Sequence, residues 1–136
     1  MLAGMTPVLR DGSFIFCITN DPTLAEQART VALSWFREDE GTAMILDLPV
    51  AALLGFDVGL PMRRIVLEVY SALDGVGLTA AVANALAGAN ISCNVVSAYH
   101  HDNVFVPAAI FQIANGNNFG GWAMLIFGFV VIINID

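Results

Sequence analysis

Between Arg63 and Pro107 the hydrophobic and polar positions change period in a fixed order. Arg64 to Tyr70 is β-branched and aliphatic, with Ile65, Leu67 and Val69 on one face and Val66 and Glu68 on the other, which predicts a strand. An Asp74-Gly75 turn follows. Leu78, Ala81, Val82, Ala85 and Leu86 then fall at helical spacing and predict a helix with one apolar stripe. Gly88 and Asn90 both tolerate the left-handed backbone that ends a helix. Ile91 to Ala98 returns as a strand, and the polar turn Tyr99-His100-His101-Asp102-Asn103 leads into a further strand, Val104-Phe105-Val106. The order is βαββ, the first two-thirds of a βαββαβ ferredoxin-like unit.

The first half carries a shorter pattern. Ser13 to Thr19 predicts a strand entered through the Asp11-Gly12 turn. Asp21 then suits a helix cap, Pro22 the first helical position, and Thr23 with Glu26 a capping box one register later. Leu24, Ala28, Val31, Ala32, Trp35 and Phe36 trace one face, so the helix is expected to run to Arg37 and to end at Glu38-Asp39-Glu40-Gly41. Thr42 to Leu48 predicts a second strand, Pro49 to Gly55 a short helix, and Phe56 to Pro61 a linker. This half has fewer strands than a full unit and is expected to pair with the other. The expected division is therefore residues 1–61 and 62–136 around a shared core. The expected fold is α+β, an antiparallel sheet of ferredoxin-like units with helices on one face.

The last part of the chain departs from this alternation. From Asn103 to Ile135 there is no charged residue. Ala108 to Ala114 suits two helical turns, Asn115-Gly116-Asn117-Asn118 a loop, and Ala123 to Ile135 a final strand. A membrane span is the rival reading. The apolar run from Gly120 to Ile133 is shorter than the roughly 20 residues a span needs, and no Lys or Arg flanks it.

Composition sharpens two of these expectations. Of the 136 residues 57% are hydrophobic and 12% charged, against about 45–50% and about 25% in ordinary domains. Such a chain builds a core easily but has little solvating surface, so association with itself or with a partner is expected. Five arginines and no lysine face twelve acids, a net charge of −7 that argues against nucleic-acid binding, which needs a basic face to neutralise phosphate. Cys17 and Cys93 fall in predicted strands, at neither CxxC nor metal spacing, and read as buried reduced thiols. No basic region followed by a long apolar core opens the chain, so a cytoplasmic location is expected.

Three separated blocks carry a more specific signal: LAGMTPVLRDGSFIFC, FREDEGTAMIL and the whole segment from Arg63 to Pro107. In this order they resemble small bacterial tandem ACT-domain proteins of unassigned function, over roughly Leu2 to Pro107. The resemblance implies a regulatory fold that binds amino acids. It also implies a place for the ligand, where the first strand passes into the helix, with the second strand of a neighbouring unit completing the site. In this sequence that segment is Ser71-Ala72-Leu73-Asp74-Gly75-Val76-Gly77-Leu78-Thr79. Backbone N–H groups at a helix start attract a carboxylate. Gly75 and Gly77 permit close approach to the backbone, Asp74 suits an ammonium group, and Thr79 offers a cap or a hydroxyl. Asn94, Val95 and Val96 would form the opposite wall. From the residues alone, Asp74-Gly75 reads equally well as a plain turn with Asp74 as a helix cap.

Other chemistry finds little support. His100 and His101 are adjacent in a strand-like segment and point to opposite faces, so they cannot easily grip one ion. Glu38-Asp39-Glu40 has no His or Cys beside it and reads as a solvated surface. There is no phosphate loop, HExxH or nucleophile elbow. Neither a metal, another cofactor nor an enzymatic activity is expected. The leading expectation is a small-molecule-binding regulatory module sensing an amino acid. A ligand-free dimerisation scaffold and a membrane-associated subunit are its rivals. Because Leu125–Ile135 offers apolar side chains on both faces and no lysine blunts its edges, a homodimer or higher oligomer that buries this segment is expected.

Overall fold

The computed structural model describes residues 5–69 and 78–110. Its elements are β1 (Met5–Leu9), β2 (Phe14–Thr19), α1 (Pro22–Arg29), β3 (Ser34–Glu38) and β4 (Gly41–Asp47), then α2 (Leu48–Leu53), β5 (Met62–Val69), α3 (Leu78–Gly88), β6 (Asn94–Ser97) and β7 (Asp102–Pro107). They separate into two compact units, Gly12–Met62 and the combination of Met1–Asp11 with Arg63–Asp136. The α+β character and the antiparallel pairing of the ferredoxin-like reading hold in both.

In the Gly12–Met62 unit, β4 is the middle strand, paired antiparallel with β2 on one side and β3 on the other. Alternation places Ile15 and Cys17 of β2 beside Leu46 and Met44 of β4. These residues pack with Ala28 of α1 and Ala51 of α2, so both helices cover the same face. Asp21 caps α1 as the sequence suggests, accepting from the Thr23 amide at 3.0 Å. The helix does not run on to Arg37. It stops at Thr30, whose hydroxyl donates to the Gln27 carbonyl at 2.9 Å, and the chain turns into β3. The stripe Val31, Ala32, Trp35, Phe36 suits a helix by spacing. Its β-branched and aromatic content instead favours an extended chain, and Ala25 and Ala28 alone bury the helix face.

Glu38-Asp39-Glu40 is therefore not a helix end. Glu38 pairs with Gly41 across a tight hairpin whose loop is Asp39-Glu40, all of it exposed. Gly41 has φ of 150°, and a Cβ there would lie 2.5 Å from the Thr19 carbonyl oxygen, so the close approach of the start of β4 to the end of β2 needs glycine.

The second unit has β5 at its centre. β7 and β6 follow on one side, with β6 and β7 antiparallel, and β1 pairs antiparallel with β5 from Met5↔Val69 to Leu9↔Ile65. The pairing continues past the strand, where the Arg10 amide donates to the Arg64 carbonyl at 2.9 Å. Ile65, Leu67, Val104 and Val106 present one face, onto which α3 sets Val82 and Leu86, with Leu9, Val95 and Ile110 around them. Of the two candidate helix stops, Asn90 takes the left-handed conformation, φ 61°, and the Ile91 amide donates back to the Leu86 carbonyl at 2.9 Å.

The strand from residues near the amino terminus is the main departure from expectation. β5 receives its neighbour along Ile65–Val69 from β1, a segment sixty residues away in sequence by the pairing Met5↔Val69 to Leu9↔Ile65. The expected helical turns at Ala108–Ala114 begin at Ala109. The expected closing strand Ala123–Ile135, with its interface Leu125–Ile135, lies outside the described residues.

Candidate functional site

The expected ligand segment joins β5 to α3. Ser71, Leu73, Asp74, Gly75, Val76 and Gly77 lie outside the described residues. Leu78 is the first residue of α3, and Thr79 is exposed in its first turn. That turn carries no acidic side chain, so its opening backbone N–H groups and positive dipole end are not answered by a carboxylate from within the turn.

Asn94, Val95 and Val96 lie on β6, paired with Phe105, Val104 and Asn103. They divide between the two faces of the strand. Val95 packs into the cluster beneath α3. Asn94 and Val96 point the other way, Asn94 exposed and Val96 half-buried. Within one copy, only Val95 shares a face with α3.

A polar group that the sequence reading missed sits on that second face. Arg64 of β5 donates its Nε–H to Asn103 Oδ1 at 2.9 Å. Asn103 Nδ2 in turn donates to the Val96 carbonyl at 3.3 Å and reaches toward the His101 carbonyl at 3.5 Å. Asn103 is buried. A signal was available in the sequence: Val104 and Val106 fix one face of β7, which sends Asn103 and Phe105 to the other.

The remaining candidates are placed as follows. Tyr99, His100 and His101 form an exposed hairpin loop, closed by the Ala98 amide donating to the His101 carbonyl at 3.0 Å. The Tyr99 and His100 rings meet edge to face at 4.8 Å. Among the described residues, no three side chains of metal-ligating type come together. Cys17 lies in β2 and Cys93 just ahead of β6 rather than within a strand; both are free thiols and only half-buried. Desolvation raises both thiol pKa values. This keeps them protonated and poorly nucleophilic at neutral pH. Among the described residues, no helix is long and apolar enough to cross a membrane.

Comparison with known proteins bears directly on this arrangement. Two family models, each described as an ACT domain, match in tandem over residues 1–63 and 61–114. The chain belongs to the ACT-domain family. Among solved structures, the ACT protein is similar to a Vibrio cholerae protein of unknown function described as a "Possible Transport Protein". The two share 36% identity over 79% of this chain and 82% of the other, with a TM-score of 0.71. No curated protein sequence matches this ACT protein. ACT domains are in general small-molecule-binding regulatory modules, not catalysts. The first family match spans β1 to the start of β5, whereas in space β1 belongs with β5 and α3.

Proposed function

We propose that this ACT protein is a regulatory module that binds a free amino acid at the segment joining β5 to α3. The observation that carries the reading is the second ACT match, residues 61–114, which spans β5, the joining segment and α3. The opening N–H groups of α3 would receive the ligand's carboxylate, and the absence of an acidic side chain from its first turn supports this. Asp74 would hold the ammonium group, with Ser71, Leu73, Gly75, Val76, Gly77, Leu78 and Thr79 around the ligand. Because Asn94 and Val96 face away from their own α3, their part in the wall would be played toward a ligand of a neighbouring unit. The protein would act without catalysis of its own, in the cytoplasm, and as a homo-oligomer.

Thermal unfolding in the presence of each of the twenty amino acids tests this. A ligand at 100 times its dissociation constant adds about 2.7 kcal/mol to stability. At least one amino acid should raise the melting temperature of the folded protein. If none does, the chain is better read as a ligand-free scaffold. That second reading is favoured by the exposed apolar side chains Phe16, Ile18 and Phe36 of the Gly12–Met62 unit.

A further inference from the structure

Three of the five arginines stand together at the start of β5. Arg63 and Arg64 are consecutive there, and β1 brings Arg10 beside them. The β1–β5 register ends at Leu9↔Ile65, and the Arg10 amide extends it by one position, donating to the Arg64 carbonyl at 2.9 Å. Arg10 and Arg64 are thus directly opposed, and opposed residues of an antiparallel pair share one face of the sheet. Arg63 reaches the same place from the neighbouring position, its Nη2 donating to the Arg10 carbonyl at 3.2 Å. On the far side of β5, Arg64 Nε donates to Asn103 Oδ1, and the buried Asn103 is itself tied to the Val96 carbonyl. Arg10 is exposed, while Arg63 and Arg64 are half-buried. The other two arginines, Arg29 and Arg37, belong to the Gly12–Met62 unit. A chain of net charge −7 therefore gathers most of its positive charge at one point.

We propose that this arginine cluster binds a phosphate group, either the free ion or the phosphate of a small ester. A guanidinium is a planar fork that matches pairs of phosphate or carboxylate oxygens. It carries five N–H donors, so one held by the protein at a single nitrogen can still receive an anion at another. Asn103 holds Arg64 in that way and fixes its fork in advance, which lowers the ordering cost of binding. Directly opposed like charges weaken a strand pair, and an anion seated between Arg10 and Arg64 turns that repulsion into attraction. Phosphate suits two forks better than a carboxylate does. A phosphate ester offers three acceptor oxygens and about 1.5 to 2 negative charges near pH 7, whereas a carboxylate offers one pair of oxygens and one charge. The acidic remainder of the chain repels a long polyanion such as nucleic acid, but a single phosphate meets only the local cluster. The site does not depend on the amino-acid reading, since Arg10, Arg63 and Arg64 lie outside the segment from Ser71 to Thr79.

Isothermal titration of the full chain at fixed ionic strength tests this. Inorganic phosphate and glycerol phosphate are the probes, with acetate as the singly charged control. At least one phosphate should bind saturably, and acetate should bind about tenfold more weakly or worse. Whichever phosphate binds more tightly tells the free ion from the ester. Arg10→Gln keeps the main-chain bonds to Arg63 and Arg64, so its circular dichroism should not change. Its phosphate affinity should fall about tenfold or more, the loss of one charge-assisted hydrogen bond. Arg37→Gln, in the other unit, should bind as the wild type does. A folded wild type that binds neither phosphate overturns the proposal. So does acetate binding as tight as phosphate, and so does a folded Arg10→Gln protein with undiminished affinity. An equal loss in Arg37→Gln would assign the effect to overall charge and overturns it as well.

Discussion

Arg64 and Asn103 link β5 to the β6–β7 hairpin through a side-chain hydrogen bond, Nε donating to Oδ1 at 2.9 Å. Asn103 spends its amide nitrogen on the Val96 carbonyl at 3.3 Å, so one buried side chain spans three strands. A buried amide of this kind is worth little in net terms while it is satisfied, but its removal strands its partners.

Replacing Asn103 by leucine should therefore destabilise the protein by about 1–3 kcal/mol, because the Arg64 donor loses its acceptor in a buried layer. Urea denaturation of wild type and variant checks this. The double variant Arg64→Leu with Asn103→Leu should recover part of the loss, since both polar partners are then gone.

Two glycines with positive φ separate backbone strain from steric clash. Gly12, φ 84°, has nothing within 4 Å of a built Cβ, whereas at Gly41 the Cβ would meet the Thr19 oxygen at 2.5 Å. Gly12→Ala should cost about 1–2 kcal/mol from the left-handed backbone alone. Gly41→Ala should cost clearly more, because the end of the β2–β4 pair at Thr19 must open. Equal denaturation midpoints for the two variants would contradict this account.

The half-buried thiols give the protein a pH signature. Burial raises the pKa of Cys17 and Cys93, while in the unfolded chain a thiol titrates near about 8.5. Between the unfolded and folded values the unfolded chain has released protons that the folded chain still holds. Stability therefore falls as pH rises through that window, and the thiols contribute no slope below it. Thermal unfolding from pH 7 to 10 should show a decline that is shallower once both cysteines are replaced by alanine.

Much of this architecture was legible in the sequence, and the failures share a cause. The period-two run at Ile65 and Leu67 and the helical stripe ending at Leu86 are long and pack their buried residues into one cluster, so pattern determines element. Asp21 and Pro22 marked the α1 start for the same local reason. Trp35 and Phe36 misled because a five-residue strand following a short helix keeps a spacing that both periods satisfy. β1 escaped because Met5-Thr6-Pro7-Val8-Leu9 has weak alternation, and its partner on β5 lies far along the chain. No local pattern encodes such a pairing. Of the candidate site, the strand before it, the helix after it and the exposed Thr79 were readable. The split of Asn94 and Val96 from Val95 between two faces followed from strand parity, but it needed the register with β7 to become visible.

The most direct test of the central claim is an amide chemical-shift map of the isotope-labelled protein titrated with an equimolar pool of the twenty amino acids. Binding at the segment joining β5 to α3 predicts concentration-dependent shifts centred on residues 71–79, with a second group at Asn94 and Val96 if a neighbouring unit completes the site. An unchanged spectrum from the folded protein, or shifts confined to the Gly12–Met62 unit, would contradict it.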